Sequence, residues 1–125
     1  MHPAEETVRA FLAAVDANDL DRILGFFAED AVYHNIPVQP VTGTAAIRAV
    51  LHSFLSLASQ VQWVTHHLAV TQERVVLTER TDRFLVRGRW IELPVMGAFE
   101  VADGRITAWR DYFDMKQFQD QMAAA

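Results

Sequence analysis

Arg80, Asp82 and Asp111 stand where a β-sheet ordinarily carries apolar side chains. The run Val76-Leu77-Thr78-Glu79-Arg80-Thr81-Asp82-Arg83-Phe84 alternates with a period of two, so Val76, Thr78, Arg80, Asp82 and Phe84 share one face of a predicted strand. In Trp109-Arg110-Asp111-Tyr112-Phe113 the same parity sets Asp111 between two large aromatic residues. A carboxylate in that setting is partly desolvated, and a desolvated charge is costly unless it is paired. Arg80 is the partner available to both acids. A buried Asp–Arg–Asp cluster could be a structural ion pair or a proton-transfer site, and the residues leave both readings open. Glu79 and Arg83 have the opposite parity and are expected in solvent, as are Glu92, Glu100 and Asp103.

A second group could hold a water molecule. Ala31, Tyr33 and Asn35 share a face of a short predicted strand, which brings a hydroxyl and an amide together. Taken alone, this segment is better read as a core tyrosine and a turn asparagine ahead of Pro37. Trp63, Phe84, Met96, Phe99, Trp109 and Phe113 are candidates for pocket wall or core. Two carboxyls, an arginine and a water holder within apolar walls suit acid–base chemistry on a small, mostly apolar molecule.

Other chemistries find little support. The chain has no cysteine, which excludes disulfides, thiol catalysis and thiolate metal sites. His66 and His67 are adjacent on a strand and are expected to point to opposite faces. His34 faces away from Tyr33 and Asn35, and His52 lies off the apolar stripe of its helix, so no metal site is expected. Ser53, Ser56 and Ser59 lack a nucleophile-elbow context. All five glycines are isolated, so no phosphate loop and no nucleotide or flavin cofactor is expected. A net charge of −5 disfavours nucleic acid and anionic membranes as partners. Arg83, Arg87 and Arg89 read as a solvated hairpin end. No apolar run approaches the roughly 20 residues that span a bilayer. The acidic N-terminal residues do not resemble a signal peptide, and a cytoplasmic location is expected.

The elements that must position these residues follow from periodicity. Within 125 residues, enough for one core, Val8, Phe11, Leu12 and Val15 mark a first helix. Asn18 is the expected N-cap of a second, carrying Leu20, Ile23, Leu24 and Phe27. A short strand over Ala31 to Ile36 leads to a loop at Pro37, Pro40 and Gly43 that is expected to hold no regular pairing. A third helix begins near Thr44, with Ile47, Val50, Leu51, Phe54 and Ala58 on its buried stripe. Strands follow at about Val61–Thr71, Val75–Val86, Arg89–Val101 and Arg105–Phe113. Arg87-Gly88 and Asp103-Gly104 supply turns, and Pro94 marks an interruption or bulge. Asp114 opens a last short helix with Gln117 three residues on. Helices followed by a meandering sheet form an α+β pattern.

These segments resemble the limonene-1,2-epoxide hydrolases along nearly the whole chain. The specific parts are Phe26-Phe27-Ala28-Glu29-Asp30 leading to Tyr33-His34-Asn35-Ile36-Pro37, then Thr78-Glu79-Arg80-Thr81-Asp82, then Trp109-Arg110-Asp111-Tyr112-Phe113-Asp114. The resemblance implies one domain over residues 1–125. It also implies the cone-shaped α+β fold of nuclear transport factor 2 and ketosteroid isomerase, a curved, mostly antiparallel mixed sheet packed on three N-terminal helices. By position it implies that Asp111 is the general base, that Tyr33 and Asn35 hold the attacking water, that Asp82 is the general acid and that Arg80 orients both. The implied reaction adds water to an epoxide, possible terpene epoxides included, without a cofactor, and yields a vicinal diol. The alternatives are a ketosteroid-isomerase-like or polyketide-cyclase-like enzyme and a non-catalytic binding module. A homodimer paired through the open sheet face is expected, with Trp90, Ile91 and Leu93 as apolar interface candidates.

Overall fold

The computed structural model describes all residues from Met1 to Ala125. Four helices and six strands follow one another as α1 (Pro3–Asp16), α2 (Leu20–Leu24), β1 (Phe27–Asn35), β2 (Val41–Thr42), α3 (Thr44–Leu55), β3 (Gln60–Val70), β4 (Val75–Val86), β5 (Arg89–Ala102), β6 (Arg105–Tyr112) and α4 (Met115–Ala124). The strands form one curved sheet in the order β2-β1-β6-β5-β4-β3. Only β1 and β6 pair in parallel; every other neighbour is antiparallel. Helices on one side of the sheet give the expected α+β cone. No helix is long and apolar enough to cross a membrane.

The core lies between α1, α3 and the concave face of the sheet. Val8, Phe11, Leu12 and Val15 are buried from α1, and Ile47, Leu51 and Leu55 from α3. Phe11 sits edge-on to Phe27, Phe99 and Trp109, with ring centroids 5.1–5.8 Å apart. Asp114 caps α4 by accepting from the Gln117 amide at 3.1 Å.

The second helix is shorter than periodicity suggests. It closes at Leu24, with Gly25 as its C-cap, and Phe27 instead opens β1 while remaining buried. Asp19, not Asn18, is the N-cap, accepting from the Arg22 amide at 3.2 Å. Asn18 adopts a left-handed φ of 52° that its short side chain tolerates. Its amide donates to the carbonyls of Leu55 and Ala58 at the end of α3, where helical carbonyls lack partners.

Three strand features also differ from expectation. The loop after Pro37 does pair: Val41 and Thr42 add a two-residue edge strand opposite Tyr33 and Val32. Pro94 causes no bulge, since β4 and β5 stay in register from Val75↔Glu100 to Val86↔Arg89. The amide of Glu92, two residues before Pro94, points away from β4 to Gln121 Oε1. By strand parity Pro94 lacks its N–H on that same side, where β6 pairing has not yet begun. Finally, a bulge between Thr65 and His67 turns both histidines outward. His66 meets Thr81 Oγ1 and His67 meets Glu79 Oε1, each at 2.7 Å, so they do not point to opposite faces.

The outer face of the sheet exposes Leu77, Trp90, Met96 and Tyr112. Ile91 and Leu93 have the opposite parity and are buried on the concave side, which removes them as interface candidates. Turns at Arg87-Gly88 and Asp103-Gly104 have positive φ at both residues, the two-residue hairpin geometry that follows the twist of the strands.

Candidate active site

Strand register gathers the site. Thr78 pairs with Gly97, Gly97 with Asp111, and Asp111 with Asn35. One row of concave-facing residues therefore crosses β4, β5, β6 and β1. Arg80, opposite Val95, begins in the next row, and Asp82, between Trp63 and Leu93, in the one after. The parallel pairing of β1 with β6 sets Tyr33 beside Trp109 and Asn35 beside Asp111. The residues in Tyr33-x-Asn35 and Trp109-x-Asp111 are far apart in the chain and adjacent in the sheet.

Arg80, Asp82 and Asp111 are 1%, 3% and 3% exposed. Arg80 Nε and Nη2 donate to the two oxygens of Asp82 at 2.9 and 3.0 Å, a side-on fork. Nη2 also donates to Asp111 Oδ2 at 2.8 Å. The other oxygen of Asp111 accepts from Trp109 Nε1 at 2.7 Å. Nη1 donates to Thr78 Oγ1 at 3.0 Å. The guanidinium carbon lies 4.9 Å from the centre of the Trp63 ring, adding a cation–π contact.

One guanidinium between two carboxylates leaves a net negative charge inside the protein, so the cluster favours holding one proton. Burial raises the pKa of Asp82 to about 6; Arg80 opposes the shift and the Asp111 charge adds to it. Burial alone would loosen the proton of Arg80, but Asp111 and Asp82 more than offset this and keep it a fixed cation. The Tyr33 hydroxyl is likewise pushed up by burial and by Asp111, which keeps it a neutral donor. Asn35 acts on that hydroxyl in the opposite sense.

These groups form the floor of a cavity of about 600 Å³, its mouth included. Eleven of its fifteen lining residues are hydrophobic, which suits an apolar guest. Tyr33, Asn35, Asp82 and Asp111 all line it, while Arg80 is sealed beneath them. Among the candidate wall residues, Trp63, Phe84 and Phe113 border the cavity. Phe99 and Trp109 do not; both are fully buried behind it, and Trp109 stacks on Tyr33 with centroids 4.1 Å apart. Met96 is not a wall residue at all. It is 52% exposed on the outer face, because its parity is opposite to that of Val95 and Gly97.

Sequence reasoning missed several participants. Leu93 and Val95 line the cavity, as their parity on β5 would have indicated. Val50, Phe54 and Phe118 come from α3 and α4, whose docking no local pattern reveals. The indole N–H of Trp109 and the hydroxyl of Thr78 are polar partners of the cluster, each two residues from the charge it meets.

The family model described as "Limonene-1,2-epoxide hydrolase catalytic domain" matches residues 3–124. The chain is 36% identical over 109 residues to epoxide hydrolase EphG of Mycobacterium tuberculosis (strain ATCC 25618 / H37Rv), covering 86% of this chain and 71% of that protein. It is also similar to a solved M. tuberculosis LEH-like epoxide hydrolase, with 32% identity, a TM-score of 0.81, and 94% and 87% of the two chains covered. A SnoaL-like polyketide cyclase structure from Shewanella putrefaciens CN-32 shares the fold, with a TM-score of 0.85 at 15% identity over 100% and 99% of the chains. With the family model spanning almost every residue, this chain belongs to the limonene-1,2-epoxide hydrolase family.

Proposed function

We propose that this chain is a cofactor-independent epoxide hydrolase, acting as one catalytic domain over residues 1–125. It adds water to a small, mostly apolar epoxide and releases a vicinal diol. The observation that carries this reading is a buried arginine bridging two carboxyls at the floor of an apolar cavity.

Opening an epoxide requires a nucleophile on carbon and a proton on oxygen. Asp111 takes a proton from water, the water oxygen bonds to carbon, and the C–O bond breaks with its electron pair going to the epoxide oxygen. Asp82 protonates that oxygen, so neither free hydroxide nor free alkoxide forms. The cluster begins and ends with one proton, which passes from Asp82 to Asp111 in net effect. Asn35 stands beside Asp111 in the sheet, and the Tyr33 hydroxyl feels the Asp111 charge more than that of Asp82, which supports this division of labour, with both residues placed to hold the water at Asp111. The raised pKa of Asp82 supports its part as the acid. Each assisted proton transfer contributes roughly 10²–10⁴-fold.

Direct attack by water has a distinct isotopic signature. A single turnover of cyclohexene oxide in ¹⁸O-labelled water is expected to put the label in the diol immediately. Label found first in Asp82 or Asp111 would mean an ester intermediate and would rule direct attack out. An isomerase needs one carboxylate base and neutral donors; two carboxyls sharing one guanidinium suit paired acid and base work better.

The same reading includes a homodimer formed through the outer face of the sheet, where Leu77, Trp90, Met96 and Tyr112 supply exposed apolar surface. Light scattering is expected to give a solution mass twice the 14.2 kDa of the chain. A mass of one chain at micromolar concentration would refute it.

A further inference from the structure

Proton transfer between Asp82 and Asp111 makes no use of Thr78, yet Thr78 is 1% exposed and faces the guanidinium. Its Oγ1 accepts from Arg80 Nη1 at 3.0 Å, on the edge of the fork opposite Asp82. Between Thr78 and Asp111 in their common row lies Gly97. A Cβ at Gly97 would collide with Arg80 Nη1, and would lie 2.7 Å from Asp111 Oδ1 and 2.9 Å from Thr78 Oγ1. The missing side chain is thus the space that the guanidinium head fills. In a strand interior, glycine has this use where another group must approach closely.

The two carboxylates engage Nε and Nη2 and leave Nη1 without a carboxylate partner. The hydroxyl of Thr78 is the acceptor for Nη1; without it that buried N–H is unsatisfied, and the guanidinium head gains by shifting toward a carboxylate oxygen, which changes how its charge is shared. We propose that Thr78 is a positioning residue, which holds Arg80 in the orientation that divides its charge between Asp82 and Asp111, in a space that Gly97 leaves open. The kinetic consequence rests on the epoxide-hydrolase reading above; the geometric claim does not. A threonine that merely satisfied a buried donor would affect stability, but it would leave the proton balance of the acids in place.

The test compares Thr78→Val, which removes the acceptor, with Thr78→Ser, which keeps it. The full chain, labelled with ¹³C at its aspartate carboxyls, is titrated by NMR. In Thr78→Val the midpoint of Asp82 or Asp111 is expected to move by roughly half a pH unit or more. The kcat on cyclohexene oxide is expected to fall about tenfold or more, with KM little changed. Thr78→Ser is expected to restore both. If Thr78→Val does not fold, Thr78→Ala serves in its place. Unmoved midpoints in a folded variant would overturn the proposal, as would equal shifts in Thr78→Ser. If the unaltered chain turns over no epoxide, the catalytic reading fails, and the NMR midpoints alone still decide the role of Thr78.

Discussion

Asp111→Asn is expected to lower kcat for epoxide hydration by on the order of 10²–10⁴-fold and to leave the far-ultraviolet circular dichroism unchanged. The substitution keeps the shape of the side chain but removes the basic oxygen that would take a proton from water. It also turns an NH₂ group toward either Trp109 Nε1 or Arg80 Nη2, both donors to Asp111, so a modest loss of stability accompanies the loss of rate. Asp82→Asn is expected to be as damaging for the opposite reason, since an amide cannot deliver a carboxyl proton to the leaving oxygen. Diol formation followed on a panel of cyclic and acyclic epoxides checks both variants. Activity within tenfold of the unaltered chain on its best epoxide would remove that aspartate from its assigned role.

Arg80→Met carries the largest expected effect on stability. It leaves the two carboxyls buried without their cation, and breaking a buried ion pair from one side costs about 3–5 kcal/mol. For a chain of this size that lowers Tm by roughly 10–20 °C at neutral pH. The dependence on pH has a definite sign. Burial raises the pKa of Asp82 to about 6 in the folded protein, above its ordinary 3.8, and losing Arg80, which opposes that shift, raises it further. Stability from a group shifted this way is fully present below the unfolded pKa and is lost as pH rises through the folded one. The deficit of the variant is therefore smallest near pH 4 and largest near pH 8. Melting curves at the two pH values measure it, and equal Tm values for the two proteins at pH 8 would show that the acids are solvated.

The inward parity of Arg80, Asp82 and Asp111 is legible in the sequence because a strand alternates strictly. The limits of β4 at Val75 and Val86 agree to the residue with those expected, since polar turns bracket a long alternating run. The two hairpin turns are equally local. The bulge after Thr65 is not, and it reverses the side on which one histidine emerges. Nor is β2 legible, as two residues near prolines carry no periodicity and pair only because β1 offers them an edge. The six aromatic and sulfur-bearing candidates for the pocket wall divided three ways, into wall, core and outer face. Parity within β5 separates Met96 from the concave face, but which buried aromatics reach the cavity depends on how α3 and α4 dock.

Residue order along the chain determined which side chains face inward wherever a strand alternates without a bulge, and with that the presence of two acids and an arginine in an apolar interior. Only the folded sheet decided that Thr78, Gly97, Asp111 and Asn35 share a row, that Asp82 is gripped side-on, and that an indole N–H completes Asp111. The reason is that alternation repeats every two residues and is a property of a single strand. The alignment of one strand against another depends instead on bulges, turns and a parallel crossover between segments distant in the chain.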